Sequence, residues 1–164
     1  MNDNFNAEKN VLGAMLLNNG VILDVMRILS SDDFLDATNR KIYDQILYLN
    51  GKNIKADSNT VWQTLKKEVD LSYFLDLEQV GTSATWKFNC DKTRDESLRR
   101  KYYVLSGKLQ QLCNSDGDFK DISQVIGEMS GLLEKTVKRG ARSLPEVLTN
   151  VITKIETIVT GKLY

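Results

Sequence analysis

Histidine is absent from this chain of 164 residues, and proline occurs once, at Pro145. Without histidine the chain lacks the commonest general base and the commonest zinc ligand. The ten glycines are thinly spread. So few backbone breakers favour helices over many short strands, and we expect an all-α fold.

Cysteine is also scarce. Cys90 and Cys113 are far apart and not in a C-x-x-C pair, and no signal-peptide pattern opens the chain. We therefore expect reduced thiols and a cytoplasmic protein. No apolar run reaches the roughly 20 residues that span a bilayer, so we expect no membrane contact. The formal net charge is zero, which indicates no strong overall attraction to nucleic acid.

A nucleotide-binding loop is missing as well. Such a loop ends in Gly-Lys-Ser/Thr, and none of the three Gly-Lys pairs is followed by Ser or Thr: Gly51-Lys52, Gly107-Lys108 and Gly161-Lys162. The adjacent acidic pairs Asp32-Asp33 and Asp95-Glu96 point apart on a helix, so helix capping or solvation explains them better than paired catalysis. We expect no catalytic, cofactor-binding or metal-binding residue in this chain, and neither ATP binding nor ATP hydrolysis by it.

Apolar residues recur at helical spacing in five short segments between Asn4 and Gly81. Asn4, Asp57 or Ser58, and Asp70 or Ser72 are predicted helix caps. A helix is predicted to stop at Asn50-Gly51, where glycine would take the left-handed conformation. These five helices predict a compact lobe over residues 1–95.

A different pattern begins near Trp86. A long helix is predicted to Cys113, with a heptad seam of Leu98, Tyr102, Leu105, Leu109 and Leu112. After the turn signal at 114–118, a second helix repeats the spacing with Ile122, Val125, Met129, Leu132 and Thr136. The pattern predicts an antiparallel helical hairpin over residues 96–139.

The apolar pattern of the hairpin also predicts a surface for self-association. The two seams could bury only each other, but Ile126, Leu133 and Val137 form a second apolar row that two helices cannot cover. The candidate self-association residues are Leu105, Leu109, Leu112, Ile126, Met129 and Leu133.

The apolar spacing within residues 140–164 predicts a linker with an amphipathic helix that docks on another domain or chain. Its docking stripe is Val147, Leu148, Val151, Ile155 and Ile158. The basic cluster before it could bind phosphate, although complementing the negative end of the preceding helix is the favoured interpretation. A second basic stretch, Arg94, Arg99, Arg100 and Lys101 beside Tyr102 and Tyr103, is a weaker candidate for contact with nucleic acid.

The opening residues 4–17, NFNAEKNVLGAMLL, resemble the start of DnaB-type replicative DNA helicases, which typically read "EAE" and then "VLG" before an apolar run. Asp32-Asp33-Phe34-Leu35 followed by Arg40-Lys41-Ile42-Tyr43 is similar to the family's "DDFY…HxxIF" segment, with Asn39 where the family usually has histidine. The order continues through residues 73–77, Arg94, Arg99-Arg100 and the SLPEVL segment at 143–148, which looks like the linker helix.

This resemblance implies an N-terminal helicase domain made of a helical lobe and a hairpin. In that family, copies pair into a collar, a trimer of dimers within a hexamer, which binds primase and in some systems a helicase loader. ATP and Mg would belong to a motor domain that begins about where this chain stops, and DNA would be contacted mainly through the parent hexamer. The alternatives are the helicase-binding domain of a primase and a helical DNA-binding module.

Overall fold

The computed structural model describes residues 2–82, 84–115 and 118–140, with side chains described from residue 6 to residue 132 within those ranges. Every regular element among them is helical, which confirms the all-α prediction. The helices are α1 (Asn2–Leu17), α2 (Ile22–Ile28), α3 (Ala37–Gly51), α4 (Ser58–Leu65), α5 (Leu71–Val80), α6 (Trp86–Asn114) and α7 (Phe119–Gly140), with short 3-10 turns at Asn19–Val21 and Ser31–Asp33.

Aspartate side chains cap two of these helices, α3 and α4. The Asp36 carboxylate accepts from the Thr38 and Asn39 N–H groups at 2.8 and 3.0 Å, and Asp57 accepts from the Thr60 N–H at 2.9 Å. That Thr60 N–H lowers the pKa of Asp57. Asp70 is the N-cap residue of α5, but its side chain makes no capping hydrogen bond. The predicted cap at Asp57 is therefore confirmed, and for Asp70 only the predicted position of the helix start is confirmed.

The predicted end of α3 at Asn50-Gly51 is confirmed, but the predicted cap at Asn4 and the left-handed glycine expected at Gly51 are wrong. Asn4 lies inside α1, which begins at Asn2, so it does not cap the helix. Gly51 is the last helical residue of α3, and the left-handed residue is Asn53, with φ of 57°. Asparagine tolerates that conformation better than most residues with a Cβ. The Ile54 N–H then bonds back to the Leu49 carbonyl at 3.0 Å and closes the helix end.

The core of the lobe forms around α1, α3 and α5. Its fully buried side chains include Leu12, Met15, Ile42, Tyr43, Ile46, Phe74 and Leu77. Helices α1 and α5 approach so closely that a Cβ on Gly13 would lie 2.0 Å from the Leu77 carbonyl oxygen and 2.7 Å from the Cα of Gly81. The main chains themselves are in contact at this crossing, so it admits only glycine.

None of the described helices is, by itself, long and apolar enough to cross a membrane. Within the described ranges, one pair of segments, Asn6–Leu17 and Asn19–Ile28, reaches the required length and apolarity when joined, and the two are bent by 114°. Val11, Leu12, Ile22 and Val25 from these segments belong to the buried core of the lobe.

The chain divides into two compact units, Met1–Ser106 and Gly107–Tyr164. The first unit contains the lobe and the first part of α6. It ends at Ser106, whereas the predicted lobe ends at residue 95. The second unit holds the rest of α6 and α7.

Candidate interaction surface

Helix α6 packs against the lobe through a narrow stripe. Trp86, Cys90, Thr93 and Ser97 are its buried residues, spaced by three or four positions so that they share one side of the helix. Burial raises the pKa of the Cys90 thiol to about 12, so this cysteine is an unreactive core residue.

Asp33 joins this stripe to the lobe. Its Oδ2 accepts from the Ser30 N–H and hydroxyl, both at 2.9 Å. Its Oδ1 accepts from the Ser97 hydroxyl at 2.7 Å and from the Lys101 ammonium at 2.9 Å. Burial alone would raise the pKa of Asp33, but these hydrogen bonds and the Lys101 charge outweigh it and hold the pKa below its usual value. The predicted capping role of the Asp32-Asp33 pair is thus confirmed for Asp33, which also binds α6.

The basic stretch on α6 is largely engaged within the protein. The Arg100 guanidinium donates to the Asp33 carbonyl at 2.7 Å, and Arg94 forms ion pairs with Asp91 at 3.1 Å and Asp95 at 3.7 Å. With Lys101 also bound to Asp33, three of the four cations considered for nucleic acid hold the lobe or α6 together. This arrangement argues against a nucleic-acid site there.

A second buried network lies around Glu8, whose side chain is 1% exposed. Its carboxylate accepts from the Leu35 N–H at 2.6 Å and from the Asn39 amide at 2.8 Å. The Tyr73 hydroxyl donates to Asn39 at 2.7 Å. Asn39, which replaces the histidine usual in the resembled family, therefore links α1 to α5. No cluster of metal-binding side chains was found within the described residues.

The predicted self-association residues lie on an incompletely covered surface. Leu105, Leu109 and Leu112 on α6 and Met129 on α7 are half-buried, and Ile126 is 49% exposed. Their role remains a prediction. The side chain of Leu133 lies outside the described residues, as does the docking stripe Val147, Leu148, Val151, Ile155 and Ile158.

Sequence reasoning missed two features of this surface. Phe119 is 81% exposed and lies seven residues before Ile126, so it extends the second apolar row by two turns. The same heptad spacing could have found it. The Ser97–Asp33 contact joins residues far apart in sequence, and only the Ser30-x-x-Asp33 capping pattern hinted at a role for Asp33.

Comparison with known proteins agrees with this architecture. A family model described as "DnaB-like helicase N terminal domain" matches residues 1–92. The replicative DNA helicase DnaB of Mycobacterium leprae (strain TN) is 46% identical over 127 residues, which are 73% of this chain and 21% of that protein. The chain spans about a fifth of the length of the curated relatives it matches.

Solved structures show the same fold. The N-terminal domain of DnaB helicase from Mycobacterium tuberculosis has a TM-score of 0.67 and 25% identity, over 80% of this chain and 96% of that one. The N-terminal domain of DnaB helicase from Helicobacter pylori, described together with its interactions with primase, has a TM-score of 0.62 and 19% identity, over 69% of this chain and 94% of that one. This chain belongs to the family of DnaB-like helicase N-terminal domains.

Proposed function

We propose that this chain is the assembly and partner-docking domain of a replicative DNA helicase. Copies pair through the hairpin into a collar, a trimer of dimers within a hexamer, and the collar binds primase and, in some systems, a loader. ATP hydrolysis, with its Mg, belongs to a motor domain of the parent protein. The observation that carries this proposal is the second apolar row of α7.

The apolar surface of α7 is too wide for the other helix of a hairpin to cover. Ile122, Val125, Met129 and Leu132 already give α7 one apolar stripe, in which Val125 is fully buried and the other three are half-buried. Phe119 and Ile126 lie beside that stripe, and both are exposed. Two large apolar side chains, two turns apart on one helix, are the usual pattern of a helix that packs on another chain.

A second copy of the chain is the occupant favoured by this pattern. Most homo-oligomers use two-fold contacts in which the same patch on both copies meets itself. Each residue of the row therefore contributes two buried side chains to a dimer interface, one from each copy. Full burial of one isoleucine contributes about 1.5–3 kcal/mol, and a two-fold contact therefore doubles the effect of one substitution.

The test is Ile126→Asp, compared with Gln124→Asp on the exposed polar side of the same helix. Ile126 is half-exposed in the single chain, so its replacement should leave the helix content and the melting temperature nearly unchanged. We expect sedimentation equilibrium to show dimerisation at least tenfold weaker for Ile126→Asp and unaltered for Gln124→Asp. The pair Leu109→Asp and Met129→Asp tests the seam itself. If Ile126→Asp and this double variant both sediment like the parent chain, the hairpin surface is not used for assembly.

Primase is the partner we propose for the assembled collar, because primase interactions are described for the H. pylori domain that shares this fold. The lobe offers exposed apolar side chains for such a contact, among them Leu23 and Met26 on α2. We also propose that the stripe at Val147, Leu148, Val151, Ile155 and Ile158 docks on a neighbouring subunit's motor domain.

A further inference from the structure

Positive charge is unevenly distributed over the lobe. Residues 48–67 contain four basic side chains, all of them lysines, and one acidic side chain, Asp57. The remainder of residues 1–106 contains ten basic and fourteen acidic side chains. A local excess of positive charge on an otherwise negative unit attracts anions to that part of its surface.

The excess lies around helix α4. The lysines form two pairs, one before the helix and one after it: Lys52 and Lys55, and Lys66 and Lys67. The eight residues of α4 extend about 12 Å between the pairs, at 1.5 Å per residue. Asn59 and Gln63 are exposed on α4, and no exposed side chain between residues 48 and 67 is acidic. We refer to these four lysines with Tyr48 and Ile54 as the α4 basic face.

The protein engages these lysines only weakly. The Lys66 ammonium lies 3.4 Å from the Gln63 side-chain oxygen, and the Lys55 ammonium lies 3.9 Å from the Asp57 carboxylate. Lys67 forms no hydrogen bond or ion pair with the described residues. Their positions near the ends of α3 and α4 complement the helix dipoles, which leaves the ammonium groups in water. Unlike the bonded cations of α6, they are therefore free to bind an anion.

Two large apolar side chains are exposed among the lysines. Tyr48 is 59% exposed and Ile54 is 49% exposed. The Lys52 ammonium lies 5.8 Å from the centre of the Tyr48 ring, so it can cover one face of the ring at most. An exposed aromatic ring within a basic surface is the combination on which the bases of a single strand stack.

The loop between α3 and α4 has a fixed conformation. The Asn19 side chain donates to the Ala56 carbonyl and accepts from the Ala56 N–H, both at 2.9 Å. At the other end of the loop, the Ile54 N–H bonds to the Leu49 carbonyl. A loop that is already ordered loses little conformational entropy when it binds a ligand, so this part of the surface is preorganised.

We propose that the α4 basic face binds a single strand of nucleic acid, with its lysines on the phosphates and Tyr48 stacked on a base. The 12 Å between the lysine pairs corresponds to about three or four phosphates at roughly 3.4 Å per nucleotide. A nucleic acid is favoured over an acidic protein because lysine is depleted and arginine enriched at protein interfaces, and all four cations here are lysines. The proposal goes beyond the assembly role of α7, since it concerns the lobe.

Fluorescence anisotropy of a labelled single-stranded oligothymidine of about 20 nucleotides tests the proposal with the full chain. We expect a Kd below about 100 µM at about 50 mM NaCl. Each phosphate that a lysine neutralises should add about −0.7 to the slope of log K against log salt, so the parent slope should be about −2 to −3.

The variants separate the phosphate contacts from the stacking contact. Lys66→Gln combined with Lys67→Gln should weaken binding about fivefold or more and make the slope shallower by about 1.4. Tyr48→Ala should also weaken binding about fivefold or more, but with an unchanged slope, and Tyr48→Phe should bind like the parent. Circular dichroism checks that each variant keeps its helix content.

The matched control combines Arg27→Gln with Lys87→Gln. These exposed cations lie on α2 and α6, and their replacement removes the same charge from the lobe. We expect this control to change the affinity less than twofold. An equal loss for the control and for the Lys66 and Lys67 variant would show a general charge effect and overturn the proposal.

Other results would overturn it as well. Unchanged binding by the Lys66 and Lys67 variant would place the contact elsewhere, for example at the basic cluster after α7. No binding by the parent at about 100 µM would mean that the lysines do not hold phosphates. No loss for Tyr48→Ala would exclude stacking. Displacement of the oligonucleotide by polyglutamate at equal charge would show a surface that accepts any polyanion.

Discussion

Replacing Asp33 with asparagine should loosen the attachment of α6 to the lobe. The carboxylate accepts four hydrogen bonds, two from Ser30, one from Ser97 and one from Lys101. Asparagine has nearly the same shape but only one acceptor oxygen, and its amide would turn two hydrogens toward these donors. Asp33→Asn therefore removes about half of the contacts at a side chain that is 7% exposed.

The magnitude follows from the number and kind of bonds lost. A hydrogen bond to a charged group contributes about 1.5–3 kcal/mol, and two such bonds are lost. The side chain of Lys101 is 37% exposed, so the unpaired ammonium can regain water and part of the loss is recovered. We expect Asp33→Asn to lower the free energy of unfolding by about 2–4 kcal/mol, a large share of the roughly 5–15 kcal/mol of a typical domain.

Urea unfolding followed by circular dichroism measures this change. Asp32→Asn, at the exposed neighbouring carboxylate, is the control and should alter stability by less than about 0.5 kcal/mol. Lys101→Met removes only the half-exposed partner and should cost less than Asp33→Asn. A free energy of unfolding for Asp33→Asn within about 0.5 kcal/mol of the parent would refute the inference that Asp33 anchors α6.

Acid provides a further check, since the pKa of Asp33 is lowered in the folded chain. Its stabilising effect is therefore fully present above the unfolded pKa of about 4 and is lost as the pH falls through the lower, folded value. The parent should lose more stability than Asp33→Asn as the pH falls below about 4. Parallel pH curves for the two proteins would contradict this.

Two other substitutions test the lobe by the same urea assay. Gly13→Ala would place a methyl group 2.0 Å from the Leu77 carbonyl oxygen and against Gly81, so we expect a loss of about 3 kcal/mol or failure to fold. An unfolding midpoint equal to that of the parent would show that the two main chains can separate at no cost. Tyr43→Phe removes the hydroxyl that donates to the Leu29 carbonyl at 2.8 Å and leaves a buried acceptor, so a loss of about 1–3 kcal/mol is expected. No change in the midpoint would mean that another donor replaces the hydroxyl.

Local signals in the sequence predicted the helices well. Asp57 marks a helix start because a capping side chain bonds to N–H groups only a few residues ahead. The heptad spacing of Leu105, Leu109 and Leu112 depends only on helix geometry. The resemblance to DnaB-type helicases, which rested on short motifs in a fixed order, is confirmed by the family model.

Contacts between residues far apart in the chain could not be predicted from the sequence. Nothing local to Ser97 indicates that its hydroxyl binds Asp33, because the contact exists only once α6 is folded against the lobe. The close crossing of Gly13 and Gly81 is of the same kind, since a glycine in a helix is equally consistent with an open site such as that of Gly107. The side of α7 that carries Phe119 was predictable from spacing, but the degree of its exposure required the packed structure.

The two sides of α6 also bear on how such a domain can diverge. Ser97 and Leu98 are neighbours in sequence but point about 100° apart, so the side that holds the lobe and the side that carries the seam share almost no residues. In the proposed assembly, substitutions on the seam would therefore alter which copies pair, while the lobe keeps its fold. Such a domain would exchange association partners through changes on one side of a single helix and retain its architecture through the other side.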